Sequence, residues 1–172
     1  GRQRQRCIRD RTHVALPEGL TELSSSLFGG CSSLISVSIP GSVTNIRSSA
    51  FGGCSALREM VIPDTVLGIE SGIVSGSGIT NLVIGNGVTD IPSGAFGGIS
   101  TLRSVTFGSG VTNIGSNVFG GCPSLTELVI PDNVVSIGSG LAGSLTHVVI
   151  GTGVLELLSC AFWGIGRLRS CL

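Results

Sequence analysis

The sequence predicts a solenoid of seven stacked coils, and three observations predict it. A phrase of about 23 residues recurs seven times, the same eight positions are apolar in nearly every copy, and Pro or Gly closes each apolar run. A period between roughly 20 and 50 residues marks supersecondary units that cannot each bury an apolar face alone and therefore stack. Cut before each turn, the phrases are 16–38, 39–61, 62–83, 84–106, 107–129, 130–149 and 150–172. Residues 1–15 precede the repeat and read as a basic N-terminal arm or cap.

The strand comes from the junction of two phrases. It reads L-x-x-V-x-I, as in Leu34, Val37 and Ile39 or Leu125, Leu128 and Ile130. Residues two apart share a face of a strand, so the last two apolar positions point into the coil. Pro17, Pro40, Pro63 and Pro131, or Gly85, Gly108 and Gly151, then end the strand pairing. Stacked coils place these strands side by side in a parallel sheet about 4.8 Å apart.

The opposite wall comes from mid-phrase stretches such as Ala50, Phe51, Gly52, Gly53 and Cys54. Two apolar residues followed by two glycines cannot nucleate an α-helix, which predicts short 3₁₀ or irregular turns. The phase of the repeat predicts that Phe28, Phe51, Phe96, Phe119 and Phe162 stack as one aromatic column there. Phrases three and six depart from the pattern, with Val74 and Ala142 near the Phe position and Ser77 at the Cys position. Phrases two and five, and three and six, resemble each other most, which suggests duplication of a three-phrase block.

The motif L-x-x-V-x-I-P-x-x-V-T-x-I-x-x-x-A-F-x-G-C resembles the BspA-like leucine-rich repeat, a subtype with 23-residue units, over residues 16–172. The resemblance implies a right-handed leucine-rich repeat solenoid with a concave parallel sheet. It also implies protein binding or cell-surface adhesion, because founding members are bacterial surface proteins that attach to host matrix.

Charge is balanced overall and uneven along the chain. Arg2, Arg4, Arg6, Arg9 and Arg11 against Asp10 give +4 on the first eleven residues, leaving five Arg against nine acids, or −4, on the remainder. Such an arm suits an acidic partner surface, or the acidic body of the same chain. No aromatic stacking residues accompany the arginines, which argues against nucleic acid. No run of 18 apolar residues exists, so no transmembrane segment is expected. A chain beginning at Gly1 reads as a processed product or a fragment. The compartment stays open between an extracellular or cell-surface setting and an organellar or membrane-associated assembly.

Chemistry-bearing motifs are poor. Cys31, Cys54 and Cys122 share one phrase position with Ile99 and Ile165, which marks the slot as buried and apolar. Cys31 and Cys54 lie on adjacent coils, within reach of a disulfide. No C-x-x-C occurs, and His13 and His147 lack metal-ligand spacing. The I-G-x-G-V stretches at 84–88 and 150–154 lack the Lys and Ser/Thr of a phosphate-binding loop and read as turns. No cofactor, metal or small-molecule substrate is indicated. Glu127, His147 and Ser170 fall on neighbouring strands in acid–base–hydroxyl order, yet a paired sheet leaves no oxyanion donors for a triad.

The outward strand positions are more telling. One row runs Ser36, Glu59, Asn81, Ser104, Glu127, His147 and Ser170; its companion runs Ser38, Val61, Val83, Thr106, Val129, Val149 and Leu172. An apolar stripe bordered by polar groups is the signature of a protein-binding surface. Arg58, Arg103 and Arg169 add cationic points along the flank. The last phrase ends on Leu172 without a capping segment, which predicts either that more chain has been removed or that a partner docks on that end with Trp163 as a contact. These features predict a non-enzymatic scaffold or accessory subunit that binds one or more proteins, with a secreted or cell-surface adhesin as the alternative.

Overall fold

The computed structural model describes residues 10–157 and 160–162, and these wind into a parallel β-solenoid. The described residues form fourteen short strands that alternate between two walls. Odd-numbered strands make the first wall: β1 (His13–Ala15), β3 (Ser36–Ser38), β5 (Glu59–Ile62), β7 (Asn81–Ile84), β9 (Ser104–Thr106), β11 (Glu127–Ile130) and β13 (His147–Ile150). Even-numbered strands of two residues make the second: β2 (Glu22–Leu23), β4 (Asn45–Ile46), β6 (Gly68–Ile69), β8 (Asp90–Ile91), β10 (Asn113–Ile114), β12 (Ser136–Ile137) and β14 (Glu156–Leu157). From β1 to β13 the chain completes six turns, and the seventh phrase runs into residues outside the description. The last residues of the N-terminal segment thus supply the first strand.

All pairing is parallel and offset by one coil, so equivalent residues meet: Val61 with Val83, Asn45 with Gly68, Val129 with Val149. In β5 and β11 the pattern is strictly exposed–buried–exposed–buried, as strand alternation requires. Met60 and Ile62 go inward while Glu59 and Val61 go outward.

The second wall is a ladder that the sequence reading does not anticipate. From β2 to β12 each coil contributes one inward Ile or Leu there, such as Ile46, Ile114 and Ile137, whereas Leu157 of β14 is exposed. The turn wall opposite the first sheet also bonds coil to coil. Phe28 N donates to Ala50 O, Phe51 N to Ile73 O, Phe96 N to Val118 O and Phe119 N to Leu141 O, at 2.7–3.0 Å. No 3₁₀ helix appears among the described residues, and successive turns make the convex side. The second glycine of each Gly-Gly pair explains itself here. Gly53 and Gly121 sit at φ +73° and +72°, and a Cβ on either would point at a glycine Cα of the preceding coil, 3.5 Å away.

The core is one continuous apolar column. The five-membered aromatic stack expected along it is instead two pairs. Phe28 stacks on Phe51 with centroids 5.2 Å apart, and Phe96 on Phe119 at 5.9 Å. Val74, fully buried in the third phrase, is the aliphatic spacer that separates them. Phe107 closes the coil from the first sheet, meeting Phe119 edge-on at 6.2 Å. At the N-terminal end Val14 packs on the core while Ala15 faces outward, so only the former covers the first coil; Ile8 lies outside the described residues.

The Cys position has its own chemistry. Cys54 Sγ donates to Phe28 O at 3.2 Å and Cys122 Sγ to Phe96 O at 3.3 Å, each reaching the preceding coil. Ser77 occupies the same slot, is buried, and its Oγ has no hydrogen-bond partner. Two stability changes are expected in denaturant titrations. Phe119→Ala should cost about 3–5 kcal/mol through lost aromatic packing, and a loss below 1 kcal/mol would mean that the column is not close-packed. Ser77→Cys should gain about 1 kcal/mol by removing an orphaned hydroxyl, and a destabilised variant would contradict the account of that slot.

Candidate functional site

The outer face of the first sheet carries two parallel rows. In the polar row, His13 Nδ1 lies 2.5 Å from Ser36 Oγ, Asn81 Nδ2 donates to Glu59 Oε1 at 3.2 Å, and Ser104 Oγ donates to Asn81 Oδ1 at 2.5 Å. Glu59, Asn81 and Ser104 therefore form one hydrogen-bonded chain across three coils. In the companion row Val61, Val129 and Val149 are 51%, 60% and 55% exposed. Val83 is half-buried and Thr106 exposed, so a hydroxyl interrupts the apolar strip at its centre. Three large aliphatic side chains held more than half in water gain nothing from the core, which leaves them available to a partner.

Arg58 and Arg103 are both exposed on the flank. Arg58 Nη1 also donates to Ser55 O at 2.7 Å and Gly78 O at 3.1 Å, which fixes its guanidinium against the backbone. Asp64 and Asp132, in the turns just beyond β5 and β11, are exposed and each accepts a backbone N–H from the next coil: Asn86 N and Thr152 N, both at 2.8 Å. Sequence reasoning gave them no role.

The acid–base–hydroxyl arrangement does not assemble among the described residues. Glu127 and His147 are register partners, but the hydrogen bond of the His147 ring is to Thr146 Oγ1 at 3.0 Å. Ser170, Arg169, Trp163, Leu172 and Arg2, Arg4, Arg6 and Arg9 lie outside the described residues, while Arg11 is exposed ahead of β1. The I-G-x-G-V stretches are turns, with Val88 N bonded to Gly85 O and Val154 N to Gly151 O. Among the described residues no group of His, Cys, Asp and Glu is placed to hold a metal, and no helix is long and apolar enough to cross a membrane.

Cys31, Cys54 and Cys122 are buried thiols, and Cys31 and Cys54 are not joined as a disulfide. Burial pushes the Cys54 thiol up to about 11, with the neighbouring Cys31 adding to the effect, and burial also raises Cys122. A thiol so disfavoured as thiolate is a packing group and not a nucleophile.

On the second wall the polar groups satisfy one another. Arg47 bridges three coils, 2.8 Å from both Glu22 and Glu70, and Glu70 also accepts Ser48 N and Ser48 Oγ at 2.8 Å. The hydrogen bond from Arg47, reinforced by the two from Ser48, lowers the Glu70 carboxyl from 4.5 to about 2. Further along, a shallow groove is lined by Asp90, Asn113, Ser136 and Glu156. Asn113 donates to Asp90 and accepts from Ser136, each at 2.7 Å, so these three side chains are already paired.

Comparison with known proteins agrees with this geometry. The model of the BspA type leucine rich repeat region matches residues 7–92 and 69–171, in six copies. The chain belongs to the BspA-type leucine-rich repeat family. A leucine-rich repeat protein from Bacteroides ovatus superposes with a TM-score of 0.76 at 27% identity, over 89% of this chain and 40% of that one. The T. pallidum leucine-rich repeat protein gives 0.73 at 26% identity, over 86% of this chain and 73% of that one. The pneumococcal vaccine antigen PcpA, at 21% identity and 0.62, shares the fold over 84% of this chain and 42% of its own. A comparison with curated proteins gives no match. In this BspA-type solenoid the repeat accounts for both sheets, and the outward rows are where the chain is its own.

The Arg47 cluster yields a pH prediction. Because the Glu70 carboxyl is depressed in the folded state, its contribution to stability is complete above its unfolded value near 4.5 and lost as pH falls toward about 2. Glu70→Gln should therefore flatten the acid limb of the stability curve between those two values in urea titrations. An acid limb identical to the parent's would show that the ladder does not stabilise the fold.

Proposed function

We propose that this BspA-type solenoid is a non-enzymatic scaffold or accessory subunit that binds protein through the outer face of its first sheet. The observation that carries the reading is the strip of Val61, Val83, Val129 and Val149, more than half exposed at three of its four positions. It is bordered by Glu59, Asn81, Ser104, Glu127 and His147; Val83 stands on a strand paired on both sides, and Val61, Val129 and Val149 on strands paired on one. A rigid apolar centre with a polar border is what a specific interface needs, because little side-chain entropy remains to be lost on docking. The reading also accords with a fold family whose members typically bind protein.

A secreted or cell-surface adhesin would use the same face. The two differ in how the protein is found: a subunit co-purifies with fixed partners in fixed ratio, whereas an adhesin is isolated alone and its full-length gene begins with a secretion signal.

Val83→Asp combined with Val129→Asp tests the face itself. Two carboxylates facing an apolar partner surface should weaken binding about a hundredfold or more, as the loss of two hot-spot contacts does. The circular dichroism spectrum should stay unchanged, since both side chains point outward. Binding that survives the double substitution would move the interface elsewhere.

A further inference from the structure

Two strands of the first sheet carry the same outward pattern three coils apart. Glu59, Val61 and Asp64 recur as Glu127, Val129 and Asp132, inside Glu-Met-Val-Ile-Pro-Asp and Glu-Leu-Val-Ile-Pro-Asp. All six residues are exposed. The equivalent positions on the two coils between them are neutral: Asn81, Val83 and Asn86, then Ser104, Thr106 and Ser109. The valine strip is thus fenced by four carboxylates, Glu59 and Glu127 before it along the strands and Asp64 and Asp132 beyond it. Arg58, which also bonds backbone carbonyls, and Arg103 are the cations beside these four acids, so acid outnumbers base on this face.

Spacing decides which partner suits such a track. The strip from Val61 to Val149 crosses four coil intervals, or about 19 Å, and the two acidic pairs stand about 14 Å apart. It runs across the strands, so an occupant lying along it must present an apolar edge downward and charge to both sides. An extended chain alternates its side chains up and down and cannot do this. An α-helix can, with an apolar stripe flanked by polar residues, and about 13 residues of helix span 19 Å. Charge complementarity then makes those flanking residues Lys or Arg.

We infer that the outer face of the first sheet binds a cationic amphipathic α-helix of a partner protein, its apolar stripe on the valine strip and its cations against the Glu59–Asp64 and Glu127–Asp132 pairs. The inference rests on the docking face proposed above and adds the form and charge of what docks there.

Three fluorescein-labelled 18-residue peptides test it against the full chain by anisotropy: Leu/Lys with helical periodicity, the same composition scrambled, and Leu/Glu with helical periodicity. The protein variants are the Val83→Asp, Val129→Asp pair and a quadruple change of Glu59→Gln, Asp64→Asn, Glu127→Gln and Asp132→Asn. The quadruple change keeps every acceptor oxygen used by Asn81, Asn86 and Thr152, so the coils should stay intact. The helical Leu/Lys peptide should bind at least about tenfold more tightly than either other peptide, and at least about tenfold more weakly to the quadruple variant. No binding of that peptide, equal binding of its scrambled form, or unchanged affinity in the quadruple variant would overturn the inference. Leu/Lys and Leu/Glu helices that bind alike, and are both lost with the valine pair, would reject the cationic helix yet keep the docking face. Leu/Lys binding indifferent to the valine pair would reject both.

Discussion

Each coil of this protein is held by the coil on either side of it at a fixed offset, and every other feature follows from that register. The offset appears in all three walls: Val61 beside Val83 in the first sheet, Asn45 beside Gly68 in the second, Phe96 N on Val118 O in the turns. A backbone amide that loses its coil neighbour has no partner within its own short strand, because two to four residues make no bonds among themselves. The register therefore fixes phase, and phase fixes which side chains are inside. Glycines at Gly53 and Gly121 belong to the same constraint, since the turn wall holds them at a positive φ that a side chain disfavours.

The consequence for function is a division of labour by position. Inward positions must be apolar, and a hydroxyl there, as at Ser77, is left without a partner. Outward positions stand in straight columns whose chemistry can change from coil to coil without disturbing the stack. The second wall fills its columns with self-satisfying polar groups, such as Glu22, Arg47 and Glu70 or Asp90, Asn113 and Ser136. The first sheet instead leaves Val61, Val129 and Val149 in water. The second wall also leaves Leu67, Leu155 and Leu157 exposed, so the docking face proposed above rests on the alignment of its valines in one outward row and not on exposure alone.

Much of this was legible in the amino-acid order because a strand with two alternating apolar residues has a period to detect. Met60 and Ile62 against Glu59 and Val61 show it directly. The second wall was not legible, since a two-residue strand such as Asn45–Ile46 contributes one apolar side chain and has no period. The aromatic stack was overread: the residue spacing was right, but a single Val74 is enough to split a column whose members touch only their nearest neighbours. Arg58 is an exposed cation on the flank, but its anchoring was not legible. Composition shows a cation on the flank, and only coordinates show that the carbonyls of Ser55 and Gly78 hold it. Asp64 and Asp132 were given no role in the sequence reading, and only the coordinates show that their turns set two carboxylates beside the strip.

The register is most directly tested by thiol labelling of single cysteines placed in turn at four consecutive positions of one strand, Glu59, Met60, Val61 and Ile62, with labelled peptides resolved by mass spectrometry. Fixed phase predicts fast modification at Glu59 and Val61 in the folded protein, and modification at Met60 and Ile62 only once the chain unfolds. Equal rates at all four positions, or an inverted pattern, would show that the strand does not hold one face inward and would remove the basis for the valine strip.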